Sequence, residues 1–515
     1  SVAGTIAPGG IGSVGQLTID GSLVLASGST YVLDFDQSGN DLLWVTGDVS
    51  LGGGIALNNR VSFGDQFQIL SYDGTASGTF GDILGMPAGV LRPVLSDTDG
   101  NITLDITALS FAEVLPSTLT KTQDDFGRAL DAARFSHFGD MQDVFSSIDY
   151  LEGTDLAQSF DSMAPNDAIL SGQTLFAAGD LVDQRLNTRL RALGRGERGF
   201  RIATTGQIAE TALTDTPAQD RPRPGAPTHG TTHQMRSGFG GFLNIDVYDA
   251  DAETGFQDQE ANLDGFAITG GLDAELSGGA VLGVTLSYQA SEGAVQNGIS
   301  ETEIDGGIVG LYGYAPLNND LFVQGHVSYG GQSIKNRRTI DLLDSAASVS
   351  SSTDADMLLV SASLGRNFVL ENGLTVTPSF NARHTRFDID GYRETGSSAA
   401  LQIAARDYTS QQLGASALMT WAVGDEGEVR PSLEVSVNHE LKDESDTIVG
   451  HLALVSDGPS ITFLGAERSE TWIDLKAGLD IDITDQITSS FEARQTVNRD
   501  ELSQTIIGAS IQARF

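Results

Sequence analysis

Apolar and polar residues alternate through the C-terminal half of the sequence, over residues 236–515. Between Phe266 and Leu276 the apolar and small side chains occupy the even positions, whereas Thr269 and Asp273 lie among the odd ones. The same period of two returns in further segments with the charges on one face, and about ten residues tilted near 45° suffice to cross a bilayer. Because a sheet edge cannot stay unpaired in hydrocarbon, such a sheet has to close. The pattern predicts a transmembrane β-barrel.

The connections between the predicted strands alternate between long and short. Long ones follow Ala250, Ala290, Lys335, Phe387 and Glu440, and short ones lie at residues 277–279, 315–320, 371–373, 424–428 and 484–486. Bacterial outer-membrane barrels place long loops outside and short turns in the periplasm. Since we count about 12 strands, we expect a 12-stranded antiparallel barrel with both ends on the periplasmic side.

Charged residues recur on the face that the pattern assigns to the lumen. They are Asp273, Glu275, Glu434, Asp474, Lys476, Asp480, Glu492 and Arg494. These side chains could form catalytic pairs or could keep the barrel interior polar, and we favour the second because the fold requires a polar lumen. The acidic stretch from Asp249 is interpreted as a solvated loop rather than a calcium site, and His229 and His233 lie in a Pro-rich linker that gives no helix face to align ligands. We predict that the protein binds no cofactor and no metal and is not an enzyme.

Composition excludes several other classes of protein. A formal net charge of −40 and a pI near 4.2 argue against nucleic-acid binding, which needs clustered Lys and Arg. No apolar run approaches the ~18 residues that a membrane-spanning helix requires. The chain has no cysteine, so disulfides and thiolate chemistry are excluded. The first ten residues lack the basic start and apolar core of a signal peptide, and we expect the chain to be a fragment or processed product.

The N-terminal region carries an internal repeat. Leu17, Ile19 and Gly21 recur as Leu43, Val45 and Gly47, an offset of 26 residues, within short alternating segments punctuated by Gly, Asp and Asn. Repeats of this length are typical of stacked β-solenoid coils, although a small sandwich would also fit. The turn from Asp97 to Asn101 leads into a last strand, and Trp44 is expected in the solenoid core.

A helical period of about 3.6 replaces the strand period between residues 117 and 195. The clearest helix is predicted over residues 172–193, about 33 Å long, with Leu175, Leu181 and Leu186 on its apolar face and Arg189 near its C-terminal end. That length suits a pore-entering plug or a helical bundle. Residues 199–235 have the Pro, Gly and Thr content of a flexible linker. Trp421 and Trp472, near predicted strand ends, suit interfacial girdles.

The terminal alternation of Ile511, Ala513 and Phe515 with polar neighbours resembles the last strand by which Gram-negative outer-membrane proteins are recognised for assembly. Together with the upstream helical and Gly-rich segments, the chain resembles the C-terminal part of a classical (type V) autotransporter. This resemblance implies that residues 1–110 are the autochaperone-like end of a passenger β-solenoid. Residues 111–198 would be a helical segment entering the pore, residues 199–235 a linker and residues 236–515 the translocator barrel.

The resemblance also implies function and partners. The barrel would anchor and export its own N-terminal passenger, and Ile511, Ala513 and Phe515 would serve the barrel assembly machinery. Expected partners are outer-membrane lipid, lipopolysaccharide and periplasmic chaperones; we expect a monomer. Two alternatives stay open: a surface adhesin that binds through the solenoid and outer loops, or the membrane anchor of an enzyme encoded upstream. Some relatives cut their own passenger within the barrel, for which Asn187 is the candidate residue.

Overall fold

The computed structural model describes residues 1–115, 119–196, 199–205, 238–253, 260–295, 299–317, 320–342, 346–370, 373–424, 428–442, 447–465, 468–484, 486–499 and 503–513. These residues form two compact units. The N-terminal unit comprises residues 1–164, 340–347 and 451–461, and the barrel unit comprises residues 165–339, 348–450 and 462–515. No helix of the described part is long and apolar enough to cross a membrane.

The N-terminal unit begins with fourteen short strands. They are β1 (Thr5–Ile6), β2 (Gln16–Ile19), β3 (Leu23–Val24), β4 (Thr30–Leu33), β5 (Phe35–Asp36), β6 (Gly39–Asn40), β7 (Leu42–Val45), β8 (Val49–Leu51), β9 (Gly54–Leu57), β10 (Gln66–Tyr72), β11 (Ala76–Gly78), β12 (Ile83–Leu84), β13 (Leu91–Thr98) and β14 (Asn101–Ala108). Three parallel ladders run through them, in the orders β1-β4-β9-β12, β2-β7-β10 and β3-β8-β11. Each coil therefore contributes one strand to each of three faces. This is a β-solenoid and not a sandwich.

The register of the solenoid follows the sequence repeat. Leu17 pairs with Leu43 and Ile19 with Val45, which confirms the offset read from the sequence. Leu43 and Val45 point into the core and are fully buried, so the intervening Trp44 points outward and is 43% exposed. The prediction of Trp44 in the core is wrong, because successive side chains of a strand face opposite sides. The antiparallel hairpin of β13 and β14 ends the second ladder by pairing with β10.

Four helices complete the N-terminal unit: α1 (Phe111–Val114), α2 (Lys121–His137), α3 (Gln142–Ile148) and α4 (Gly153–Ser162), with a 3-10 turn at Gly139–Met141. Arg134 of α2 is buried, donates to Asp149 at 2.8 Å and lies over the ring of Phe145. Its guanidinium also lies over the ring of Phe63, which precedes β10. These contacts join the helices to the solenoid, so the predicted helical segment 111–198 is divided, and only its last helix belongs to the barrel unit.

The barrel unit contains helix α5 (Asn166–Gly194) and the remaining strands, apart from the strand ends that fall within residues 340–347 and 451–461. They are β15 (Phe200–Thr205), β16 (Phe239–Glu253), β17 (Glu260–Glu275), β18 (Val281–Val295), β19 (Ser300–Pro316), β20 (Leu321–Asp341), β21 (Ala346–Arg366), β22 (Phe368–Val369), β23 (Leu374–Ile389), β24 (Tyr392–Arg393), β25 (Leu401–Ile403), β26 (Arg406–Trp421), β27 (Val429–Glu440), β28 (Thr447–Leu452), β29 (Ile461–Leu464), β30 (Thr471–Thr484), β31 (Ile487–Val497) and β32 (Ser503–Ala513). A 3-10 turn lies at Ser277–Gly279.

Twelve long strands form the antiparallel wall. The wall closes because β21 pairs with β23 and β16 pairs with β32. The short strand β15 lies between β16 and β32, which raises the count from the predicted 12 to thirteen. Residues 200–205 are therefore a wall strand and not part of a flexible linker; residues 206–237 lie outside the described part of the chain. A six-residue strand was too short to stand out in the alternating pattern.

The two ends of the barrel differ. We call the end with the 3-10 turn at Ser277–Gly279 the turn end, and the opposite end the loop end. At the loop end, β24, β25, β28 and β29 form a small separate sheet. The first three predicted long loops are shortened because their strands run on, as in β20 and β21, each of 21 residues. At about 3.4 Å per residue, such strands are longer than a bilayer crossing requires.

Substitution of Gly47 tests the stacking of the solenoid coils. A Cβ at Gly47 would lie 2.7 Å from the carbonyl carbon of Gly21 in the preceding coil. We expect Gly47→Ala to destabilise the N-terminal unit by about 1–3 kcal/mol, measured by pulse proteolysis of the full chain in urea. Gly28→Ala is the matched control, because a Cβ there meets no atom within 4 Å. Equal stability of the two variants would contradict the stacked register.

Candidate functional site

Helix α5 lies inside the barrel. Its apolar side chains Leu175, Val182, Leu186, Leu190 and Leu193 form a buried cluster with inward-facing wall residues, among them Phe242, Ile308, Tyr312, Phe387 and Tyr408. A second cluster joins Leu170, Ala177 and Leu181 to Ala250, Ala252, Ala261, Leu263, Ala267 and Val295. The predicted helix residues Leu175, Leu181, Leu186 and Arg189 are all buried here.

The helix runs the height of the barrel from the loop end to the turn end. It has 29 residues, more than predicted, which corresponds to about 43 Å. Near its start, Asp167 lies 3.8 Å from Arg338, close to the loop end of β20. At its finish, Gly194 lies against the ring of Tyr314 at the turn end of β19. Gly172 permits close packing as well, since a Cβ there would lie 2.8 Å from the Tyr408 ring.

The C-terminal half of α5 is basic and meets acidic wall residues. Arg185 lies 3.0 Å from Asp246 and 2.6 Å from Glu492. Two guanidinium nitrogens of Arg189 lie 2.8–2.9 Å from the Asp273 carboxylate, which also accepts a 2.8 Å hydrogen bond from the Tyr312 hydroxyl.

Two further arginines extend this basic half towards the turn end. Arg191 pairs with Glu434, and Arg195 lies 3.6 Å from Asp480. Three arginines of the helix, together with Arg195 immediately after it, thus bind carboxylates carried by five strands of the wall.

The residues of α5 that precede these arginines have the opposite charge. Asp180 pairs with Arg383 and, at 2.8 Å, with Arg499. Asp183 lies 2.9 Å from Nε2 of His326. At the loop end Arg338 also binds Glu394 of the connection between β24 and β25, at 2.8 Å. Asp167 in the first turn of the helix and Arg191 in the last turn match the helix dipole, and the wall carries the opposite charge beside each of them.

The predicted lumen residues have defined positions. Asp273, Glu434 and Glu492 contact the helix arginines, and Lys476 binds Glu492 at 2.7 Å. Asp474 binds Arg494 at 2.8 Å and accepts from Asn438 and Thr496. Glu275 is half-buried at the turn end of β17.

Sequence reasoning missed several members of the network, namely Asp246, His326, Arg338, Arg383 and Glu394. The strand period could have found Asp246, which shares the inward parity of Asn244 on β16. The ion pairs of the other residues depend on the tertiary fold, so the local sequence around each residue does not reveal its partner.

Trp472 lies in the lumen and not in a lipid-facing girdle. It is only 3% exposed, and the guanidinium of Arg499 lies 4.7 Å from its ring centroid. The prediction is wrong because Trp472 shares the parity of Asp474, whereas its neighbour Ile473 has the other.

A polar cavity of about 140 Å³ remains on one side of α5. Its lining includes Asp180, Gln184, Asn187, Arg383, Asp474 and Lys476. Asn187, the residue considered for self-cleavage, thus lies near lumen acids, within an unbroken helix. Among the described residues, no group of three or more His, Asp or Glu side chains could hold a metal ion. His229 and His233 lie outside those residues, as do residues 254–259 of the acidic loop.

The outer face of the wall is apolar. Leu272, Leu286, Val309, Phe380 and Ile507 point outward, and Leu286 is 64% exposed. A band of this kind is what a hydrocarbon environment covers. In the terminal strand Ile511 also faces outward and Ala513 ends β32, whereas Phe515 lies outside the described residues.

Residues 237–494, half of the chain, match the Autotransporter beta-domain family. The chain belongs to the autotransporter family. It is an outer-membrane translocator of type V secretion in a Gram-negative bacterium, and it exports a passenger. Its β-domain family is one of translocators and not of enzymes.

This chain is similar to solved domains of other autotransporters. The translocator domain of the autotransporter NalP from Neisseria meningitidis has 15% identity and a TM-score of 0.42, covering 55% of this chain and 90% of that one. The β domain of the Bordetella autotransporter BrkA has 13% identity and a TM-score of 0.37, covering 54% and 100%. The transport unit of AIDA-I from Escherichia coli has 15% identity and a TM-score of 0.37, covering 56% and 93%. No curated protein matches the chain.

Removal of the Arg189 guanidinium tests how tightly the autotransporter holds its helix. Arg189→Met leaves Asp273 buried without its cationic partner, and we expect the folded barrel to lose about 3–5 kcal/mol of stability. The measurement is the temperature at which the folded band on a gel converts to the unfolded band, which should be lower in the variant.

Arg337→Met is the matched control, because Arg337 and Glu301 form an exposed pair at 3.6 Å whose loss costs about 0–1 kcal/mol. Equal transition temperatures for the two variants would show that the buried pair does not hold the helix.

Proposed function

We propose that the barrel exports the residues before Asn166 to the cell surface and that α5 then stays in the lumen as a plug. The observation that carries this proposal is the direction of the helix: its first residues lie with Arg338 at the loop end and its last with Tyr314 at the turn end. With the loop end outside, as in outer-membrane barrels, the chain ahead of the helix leaves the lumen on the outer side.

The described contacts also support a plugging role. The helix combines buried apolar clusters with ion pairs at Asp167 and from Asp180 to Arg191, so it occupies the lumen in one orientation. The charged lumen residues serve to bind the helix in this account, and we assign no catalytic role to them. Asp273, Glu434 and Glu492 support this view because each is already paired with a helix arginine.

We further propose that the solenoid promotes its own export by folding outside. Parallel coils grow one on the next, and each buried coil opposes the return of the chain. The hairpin of β13 and β14 supplies a paired end from which the adjacent coil, containing β10, can grow. In this role residues 1–110 act as an autochaperone for any passenger residues ahead of them.

The proposed partners follow from the barrel surface and the terminal strand. Outer-membrane lipid and lipopolysaccharide would cover the apolar band, and periplasmic chaperones would hold the chain before insertion. Ile511 and Ala513, with Phe515, would serve as the signal that the barrel assembly machinery binds. The wall closes on itself within one chain, which supports a monomer.

Single cysteines test the orientation, because the chain has none of its own. Thr79→Cys places a thiol on the exposed side of the solenoid, and Ser277→Cys places one in the exposed turn after β17. On intact cells we expect a membrane-impermeant maleimide to label Thr79→Cys at once and Ser277→Cys only after the outer membrane is permeabilised. Labelling of the Ser277 variant but not the Thr79 variant on intact cells would contradict the proposed direction.

A further inference from the structure

The seam between the first and last long strands contains an inserted strand. β15 pairs in parallel with β16, from Phe200 opposite Gly241 to Thr205 opposite Asp246. On its other side it pairs antiparallel with β32. Nearer the loop end, β16 and β32 pair with each other directly, Ala250 with Gln504 and Asp251 with Ser503. The seam is therefore closed in two different ways along its length.

The two closures share one register. Thr205 has both Asp246 and Gly508 as partners, and Phe200 has both Gly241 and Ala513. If the direct pairing of Ala250 with Gln504 continued towards the turn end, residue by residue, it would place Asp246 opposite Gly508 and Gly241 opposite Ala513. The strand thus separates residues that would pair with each other in its absence.

Side-chain directions agree with both closures. Phe242 on β16 and Gln512 on β32 both point into the lumen, and both pair with Arg201. Leu243 and Ile511 both point outward, and both pair with Ile202, which is 56% exposed on the same face. Direct pairing would therefore keep Leu243 and Ile511 in lipid and Phe242 and Gln512 inside, and would leave no sheet edge unpaired.

β15 is also the least regular part of the wall. It has six residues, whereas its neighbours β16 and β32 have 15 and 11. One of its two ladders is parallel, which is slightly weaker per residue than an antiparallel one. Its loss would cost the hydrogen bonds of one six-residue ladder, because the two ladders it makes would be replaced by one antiparallel ladder of the same length.

The strand is tied to the pore helix. Gly199, immediately before β15, has a carbonyl that accepts from Arg189 of α5 at 3.3 Å and from the backbone of Gly241 at 3.1 Å. The side chain of Arg201 donates to Ser510 at 3.0 Å. Insertion of β15 therefore fixes the position of the C-terminal end of α5 at the turn end of the barrel.

We propose that β15 is a displaceable seam strand that latches the pore helix. With β15 inserted, the barrel closes with thirteen strands and the end of α5 is fixed to the wall. With β15 withdrawn, β16 pairs with β32 in the register already present at the loop end, and the barrel closes with twelve strands. The C-terminal end of α5 is then no longer fixed to the wall by β15. The two closures of the seam follow from the strand pairing alone. Only the role of β15 as a latch during export rests on the proposed function.

Cysteine pairs at Ile511 distinguish the two closures in outer-membrane vesicles of the full chain. Ile202→Cys with Ile511→Cys joins direct partners and reports the inserted strand. Leu243→Cys with Ile511→Cys joins residues two strands apart, about 9.6 Å, beyond the ~7 Å limit for a disulfide, unless β15 has left. Asp251→Cys with Ser503→Cys pairs directly in both closures and serves as the positive control.

We expect the 202/511 pair to cross-link in the otherwise unaltered chain and the 243/511 pair to stay near background. Ala203→Pro removes a backbone donor from the middle of β15 and should raise the 243/511 yield by about tenfold, the effect of one lost hydrogen bond, while the barrel stays heat-modifiable. Ala203→Ser is the matched control and should behave like the parent chain.

Three results would overturn the proposal: a 243/511 yield that Ala203→Pro leaves at background, loss of the folded barrel in that variant, or dominance of the 243/511 pair in the unaltered chain. None of these readouts depends on passenger export. A failure here is therefore distinguishable from a failure of the proposed orientation, which the labelling of Thr79→Cys and Ser277→Cys reports.

Discussion

The closed hydrogen-bonded wall is the constraint on which the rest of the barrel depends. In hydrocarbon each unpaired backbone group costs several kcal/mol, so every strand needs a partner on both sides. Closure puts one face of each strand in lipid and the other in an enclosed lumen, and the period of two separates Leu272 from Asp273 accordingly. A polar lumen of fixed width is the result, and helix α5 is the element that fills it.

Charge gives the helix its direction. The arginines near its C-terminal end bind Asp246, Asp273 and Glu492, and Asp167 in its first turn lies 3.8 Å from Arg338. A reversed helix would set its arginines towards the arginines of the loop end and its acids towards the carboxylates of the turn end. Buried pairs contribute little net stability once desolvation is counted, but a wrong pairing of like charges is costly. We therefore attribute the orientation to these pairs and the stability mainly to the apolar clusters.

Sequence reasoning succeeded where a local period decides the structure. The inward and outward faces of β17 and the offset between Leu17 and Leu43 follow directly from spacing. It failed where the outcome depends on distant partners. Trp472 was assigned by its place along the strand and not by its parity, and the association of α2 with the solenoid rests on Arg134 meeting Phe63. β15 shows alternation over only six residues, and nothing within them specifies insertion at the seam.

The central claim is that α5 occupies the lumen of a closed membrane barrel, and ion conductance in a planar bilayer measures this most directly. The intact chain should show small or absent conductance, because α5 occupies the lumen and a polar cavity of about 140 Å³ lies beside it. The barrel expressed without residues 1–198 should conduct several-fold more. Equal conductance of the intact chain and the helix-free barrel would contradict the account.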